Sequence, residues 1–258
     1  MIVALDVGNT SLSMGGFQGE ALIFHAKMAT LLTWTEDQYA IAFRDLLTLH
    51  GADAQQIEGV ILSSVVPGLT NTVKRAMGKL TDCAVLLVSA GIRTGLNIKT
   101  DFPRQVGTDL VSAAVWANQS CPMPCVLVLL ETATTFVLLD QSGQMMGTAI
   151  TAGVQLSMDA LHERCAQLPS VGIEPPAHGV VGRNTADALR SGAVYGAAAM
   201  VDGMIARLQE AVGQPVYAAA TGLHAAAVVP YCQTGIVLEE TMILKGLAAI
   251  WRKNHRGS

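Results

Sequence analysis

The chain has 258 residues, 51% of them apolar and 14% charged, so it can bury a sizeable core and is not a disordered polymer. Lys and Arg number 16 against 20 Asp and Glu, a net charge of −4 that offers no basic footprint for nucleic acid or an anionic membrane. No apolar run reaches the roughly 18 residues of a membrane span; the stretch from Val126 to Leu130 ends at Glu131. The opening Met1-Ile2-Val3-Ala4-Leu5-Asp6 has no basic region and no small-residue cleavage site, so it is not read as a signal peptide, and a cytoplasmic location is expected. Five cysteines form no disulfide framework, and Cys121 and Cys125 lack the further ligands of a zinc site; reduced thiols are expected.

In chain order, Ile2 to Leu5 reads as a buried strand, followed by the polar turn Asp6-Val7-Gly8-Asn9-Thr10-Ser11. Met14 to Phe17 and the hairpin signal Gln18-Gly19-Glu20 come next. Thr35-Glu36-Asp37-Gln38 has the form of a capping box, with Tyr39, Phe43, Leu46 and Leu47 on one face of the helix that follows. Val60 to Leu62 and Ala84 to Val88 read as strands, with a helix from Leu69 to Leu80 between them, and Leu110 to Ala117 reads as a helix. Val126 to Leu130 then repeats the opening pattern: a strand, the turn Glu131-Thr132-Ala133-Thr134-Thr135, the strand Phe136 to Leu139 and the hairpin signal Gln141-Ser142-Gly143-Gln144. A long alanine-rich helix is expected from Thr185 to Ala211, a strand from Val216 to Ala219, and a solvated basic tail from Arg252 to Ser258. The repetition predicts an α/β fold made of a duplicated unit, with an N-terminal lobe at 1–118 and a C-terminal lobe at 119–258.

Three turns at strand ends carry the candidate chemistry. In the first, Gly8 leaves room for backbone N–H groups to approach an anion, Asn9 and Thr10 add donors, and Asp6 suits a hydrated Mg²⁺. A plain β-hairpin turn closed by an Asx-type bond is the alternative. The second turn, from Thr132 to Thr135, and the third, Ala220-Thr221-Gly222, offer hydroxyls and N–H groups of the same kind. None has the spacing of a P-loop, and no G-x-G-x-x-G follows a strand. The six histidines include no i, i+4 pair, Trp34, Trp116 and Trp251 are read as packing anchors, and His224, beside the third turn, as a solvent-facing loop residue, with contact to a nucleotide as the alternative.

Three such turns resemble the two phosphate loops and the adenosine loop of the acetate and sugar kinase, heat-shock chaperone ATPase and actin superfamily. The resemblance narrows with Leu5 to Thr10, Ser63-Ser64-Val65-Val66-Pro67, Pro103 to Asp109, Thr132 to Phe136, Ala152 to Ser157, Gly182-Arg183-Asn184-Thr185, Ser191-Gly192 and Ala220-Thr221-Gly222. In that order, and spanning about Met1 to Leu247, they look like the type III pantothenate kinases. The resemblance implies two actin-like (ribonuclease H-like) lobes with a nucleotide cleft between them, assembled as a homodimer. It also implies ATP-dependent phosphorylation of pantothenate, the first step of coenzyme A biosynthesis, with Mg²⁺ and a monovalent cation (K⁺ or NH4⁺). Carried over, Asp6 organises the metal and ATP, while Gly8, Asn9, Thr10, Thr132, Thr134, Thr221 and Gly222 bind the nucleotide. Asp109 is the general base, and Gly107, Thr108, Thr134 and Thr185 line the pantothenate pocket. A helix N-terminal carboxylate is the second role open to Asp109, and both can hold together.

Several positions depart from the family pattern. The usual Asp-Phe-Gly-Thr-Ala-Thr-Thr is here Leu129-Leu130-Glu131-Thr132-Ala133-Thr134-Thr135, which removes one carboxylate and places another where a glycine is expected. Leu110 replaces an arginine after the base, Thr100 and Phe102 replace an aromatic and an asparagine, and Leu223 replaces the second glycine of Thr-Gly-Gly. Three readings therefore stand together: a pantothenate kinase with rearranged contacts, a kinase for a different small hydroxylated acceptor, and a catalytically degenerate binding or regulatory homologue.

Overall fold

The apolar run Ile2–Val7 forms β1, buried except at its half-buried Asp6, as expected of a strand flanked on both sides and covered on both faces. This is a computed structural model that describes residues 1–255; the last residues of the expected solvated tail, 256–258, lie outside the described residues. β2 (Ser11–Gln18) and β3 (Ala21–Ala29) follow antiparallel, and the Thr35 capping box opens α1 (Glu36–Leu49). Such a cap contributes about 1 kcal/mol to helix stability. β4 (Gly59–Ser64) runs parallel to β1; α2 (Pro67–Gly78) begins at the proline, whose missing N–H suits a first helical turn. β5 (Val85–Leu87) completes a sheet of order β3-β2-β1-β4-β5, and α3 (Thr108–Ser120) follows.

The second sheet repeats the plan. β6 (Cys125–Leu130) is buried throughout, β7 (Ala133–Leu139) and β8 (Met145–Ala152) meander antiparallel, and α4 (Val154–Arg164) follows. After α5 (Thr185–Ser191) and α6 (Ala197–Val212) come β9 (Tyr217–Thr221), the short α7 (Ala225–Val228) and β10 (Ile236–Leu238). β9 pairs parallel with β6 and β10 with β9, giving the order β8-β7-β6-β9-β10, the mirror in name and the equal in topology of the first sheet.

Two expectations are corrected. The helix expected from Thr185 to Ala211 is interrupted by a π-helical turn at Gly192–Gly196, bracketed by the small residues that let the backbone widen there. The last element, α8 (Met242–His255), belongs to the first unit and not to the second lobe. One unit comprises Met1–Leu96, Phe102–Gln119 and the chain from Thr241, and the other Asn97–Asp101 with Ser120–Glu240. The reason lies in packing: Leu244, Leu247, Ala248 and Ile250 share a core with Ile2, Ala4, Ile61 and Val115. At Gly246 the helix backbone comes so near the Ser112 carbonyl that a Cβ would stand 1.8 Å from its oxygen.

Candidate active site

In the first unit β1 and β2 are joined by the turn at residues 8–11, closed by the Gly8 N–H donating to the Ser11 carbonyl at 3.0 Å. Thr30 braces it: its hydroxyl donates to the Gly8 carbonyl at 2.7 Å and its N–H to the Thr10 carbonyl at 3.0 Å. Asn9 and Thr10 point outward and are exposed. Asp6, one strand position before Val7, is paired in register with Ser63 on β4. The Ser63 hydroxyl is fully buried and lies 2.9 Å from the Thr108 hydroxyl, which ties the start of α3 to the sheet. Thr108, expected to line the substrate pocket, thus has a structural partner as well.

Asp109 stands in the first turn of α3, where the helix dipole favours a carboxylate. Its Oδ1 is buried with no hydrogen-bond partner among the described residues, and burial pushes the carboxyl above the ordinary carboxylate range. A Cβ at Gly107 would lie 2.3 Å from that oxygen, so the glycine is what gives the carboxylate its room. The place in the first helical turn agrees with the expected helix N-terminal carboxylate.

In the second unit the matching turn is tighter. Leu130 pairs with Thr134, and the Glu131 N–H donates to the Ala133 carbonyl at 3.1 Å. Thr134 is fully buried, and its hydroxyl has no partner among the described residues. Gly153 packs onto this turn so closely that a Cβ would meet the Glu131 and Thr132 carbonyls at 2.2 and 2.4 Å. Gly222 has φ +116° and approaches Leu130 equally closely, a conformation only glycine adopts without strain. The Thr221 hydroxyl, buried at the end of β9, donates to the Glu240 carbonyl at 3.3 Å. Thr185 opens α5, is exposed, and follows the Asn184 side chain that accepts from the Asp187 N–H.

Several working residues had no signal in the sequence. Ser63 stood in a quoted motif without a role. The Glu131 side chain accepts the Leu223 N–H at 3.0 Å, linking two positions that had been read as separate departures. His224 is half-buried, its imidazole pKa lowered by burial, and its N–H donates to the Leu130 carbonyl at 3.1 Å.

In the second unit, the buried Thr134 hydroxyl without a partner among the described residues and the glycines that bring main chain close suit a phosphorylated ligand. No group of three or more His, Cys, Asp or Glu among the described residues forms a metal cluster. The half-buried Asp6 carboxylate is an oxygen donor of the kind a hard cation such as Mg²⁺ takes, alongside ligand oxygens and water.

The sequence model of the family "Type III pantothenate kinase" matches residues 2–207. A type III pantothenate kinase of Brevibacillus brevis is 37% identical over 254 residues, covering 98% of this chain and 99% of that one. One from Myxococcus xanthus is 36% identical over 255 residues, covering 99% of each. Among solved structures, an activator of 2-hydroxyisocaproyl-CoA dehydratase from Clostridium difficile, with bound ADPNP, aligns at a TM-score of 0.56 and 13% identity, covering 97% of this chain and 93% of that one. That likeness concerns the fold, the duplicated actin-like α/β architecture.

Proposed function

The chain belongs to the type III pantothenate kinase family, and from that premise we propose that it transfers the γ-phosphoryl group of ATP to the primary hydroxyl of pantothenate. The product, 4'-phosphopantothenate, opens coenzyme A biosynthesis. The observation that carries the reading is the Asp109 carboxylate, which has a buried oxygen without a partner above the Gly107 backbone. It accepts the proton of the attacking hydroxyl, and its raised pKa brings it closer to a base suited to neutral pH. Asn9, Thr10 and Thr132 present backbone and side-chain donors to the phosphates, Gly8 leaves room for the approach, and Thr221 and Gly222 stand on the nucleoside side. Gly107, Thr108, Thr134 and Thr185 contact the pantothenate. Mg²⁺ when bound neutralises phosphate charge, and Asp6 is the residue that would hold it. A monovalent cation, K⁺ or NH4⁺, belongs to the same reading, with no residue assigned to it.

A homodimer is part of the proposal. Met146 and Ile150 on β8 and Leu156 and Leu161 on α4 are exposed, and a cavity of about 410 Å³ opens beside α4, lined by Val154, Met158, Leu189 and Met200. These apolar groups support cover by a second copy. No described helix is long and apolar enough to cross a membrane, and a cytoplasmic location completes the reading.

The test is ADP formation with ATP, Mg²⁺, K⁺ and pantothenate beside an Asp109→Asn control. Turnover that needs both pantothenate and Asp109 supports the assignment. A different acceptor is the second reading. It draws on Thr100, whose buried hydroxyl has no partner among the described residues and stands where the family has an aromatic. Turnover with another hydroxylated acid but not with pantothenate selects it, and a folded protein that binds ATP without turnover selects the regulatory homologue.

A further inference from the structure

Glu131 and Leu223, two positions where a glycine is expected, meet in one hydrogen bond. The bond belongs to a pair: the Leu130 carbonyl accepts the His224 N–H while the Glu131 Oε1 accepts the Leu223 N–H, so successive residues of one turn hold successive amides of one loop. The turn itself has no freedom to withdraw. Gly153 presses on the Glu131 and Thr132 carbonyls from one direction, and Gly222 lies against Leu130 from another, both at distances that leave no space for a Cβ. The side chain of Glu131 starts from this fixed backbone and reaches the loop after β9. A carboxylate that accepts an amide N–H makes a charge-assisted bond, stronger than a neutral one.

We propose that Glu131 is a positioning residue for the nucleotide: its carboxylate holds the loop Thr221-Gly222-Leu223-His224 in the form that receives the nucleoside end of ATP. The inference rests on the reading that these turns bind ATP. It assigns to Glu131 a role unlike that of the glycine it replaces. Instead of leaving space beside a phosphate, it turns its charge toward a backbone amide and fixes a neighbouring loop.

The test compares wild type, Glu131→Ala and Glu131→Gln, using ATP and a non-hydrolysable analogue by calorimetry, KM against kcat, and hydrogen exchange at the Leu223 amide. Glu131→Ala is expected to weaken ATP binding about tenfold and raise KM for ATP by a similar factor, with kcat little changed and Leu223 exchange accelerated. Glu131→Gln keeps an acceptor oxygen and is expected to hold ATP affinity within about threefold of wild type, with Leu223 still protected. Tighter ATP binding in both variants would overturn the proposal, because the charge would then only obstruct the phosphates. Unchanged affinity in Glu131→Ala would overturn it as well. Wild type that binds no ATP sinks the kinase reading and the nucleotide role together, while Leu223 exchange separately decides whether the tie exists.

Discussion

In the first sheet the central strand ends Asp6-Val7-Gly8; in the second, the matched positions hold Leu129-Leu130-Glu131. The match follows from register, since Ile2 faces Gly59 in one parallel pair as Cys125 faces Tyr217 in the other. By the same count Ser63 corresponds to Thr221 and Ser64 to Gly222. At the first pair of positions one unit keeps a half-buried carboxylate where the other has a leucine only 2% exposed. Burying an ionised group opposes folding unless something pairs with it, so the apolar Leu129 suits the closed core of the second unit, whereas Asp6 stays half-exposed in the first. One duplicated framework has thus been left polar on the first side and refilled on the second. The nearest carboxylate of the second unit's turn is Glu131, two residues along, and it accepts a backbone amide, the Leu223 N–H.

The sharpest way to break this comparison is to remove the other carboxylate of the first unit. Asp109→Asn should lower kcat/KM about 10²–10⁴-fold, the usual worth of a general base. In the wild type the acid limb of the rate profile should fall at a pH above the ordinary carboxylate range, since protonated Asp109 cannot accept a proton. The stability effect has the opposite sign. A folded-state pKa raised above the unfolded value means stability is fully present below the unfolded pKa and is lost as pH rises through the folded one. Asp109→Asn should therefore melt higher than wild type at neutral pH, with the gap closing in acid.

Next in size is the attempt to make the second hairpin like the first. Leu129→Asp places a charge between Thr135 and Thr221 in a closed core and should cost about 3 kcal/mol in urea unfolding. A cost under about 1 kcal/mol would show that this strand end is as tolerant of a carboxylate as that of Asp6. Gly222→Ala should cost about 2 kcal/mol, because it combines a positive φ with a contact 2.5 Å from the Leu130 oxygen. Its counterpart Ser64→Ala loses only hydroxyl bonds to Val66 and Thr70 and should cost about 1 kcal/mol. Smallest in stability is Ser63→Ala, at about 1 kcal/mol or less. It should still lower kcat more than KM, because the Thr108 hydroxyl it frees anchors the turn that carries Asp109. A Ser63→Thr variant that restores turnover would sharpen the assignment.

Much of this was legible in the residues themselves. The capping box at Thr35 and Gln38 is a local pattern read correctly because both partners lie within one turn. The repeated strand, turn and hairpin gave the duplicated sheets, since alternation and turn chemistry are also local. What escaped depends on encounters between distant segments. Nothing near Gly246 announces that it will lie against Ser112, and so the unit to which α8 belongs was misread. Glu131 read as a bare departure from the family pattern because its partner, Leu223, enters from another strand end. The asymmetry is physical: local hydrogen bonds leave their mark in neighbouring letters, and close backbone contacts leave only a glycine.

The π turn at Gly192–Gly196 has a bearing on how chain length can vary in this protein. Along that rod the residues that share one core are Leu189, Ala193, Ala198, Val201 and Ile205, so one interval of five residues stands among intervals of three and four. A π turn carries one residue more than the α turn it interrupts. The segment therefore behaves as an accommodated insertion. Removing a single residue between Ala193 and Ala198 would bring those two positions four apart, restoring uniform α register with the same side facing the core. Among the described residues no other helix carries a π turn, and a one-residue deletion in one of them would rotate every following side chain by about 100°.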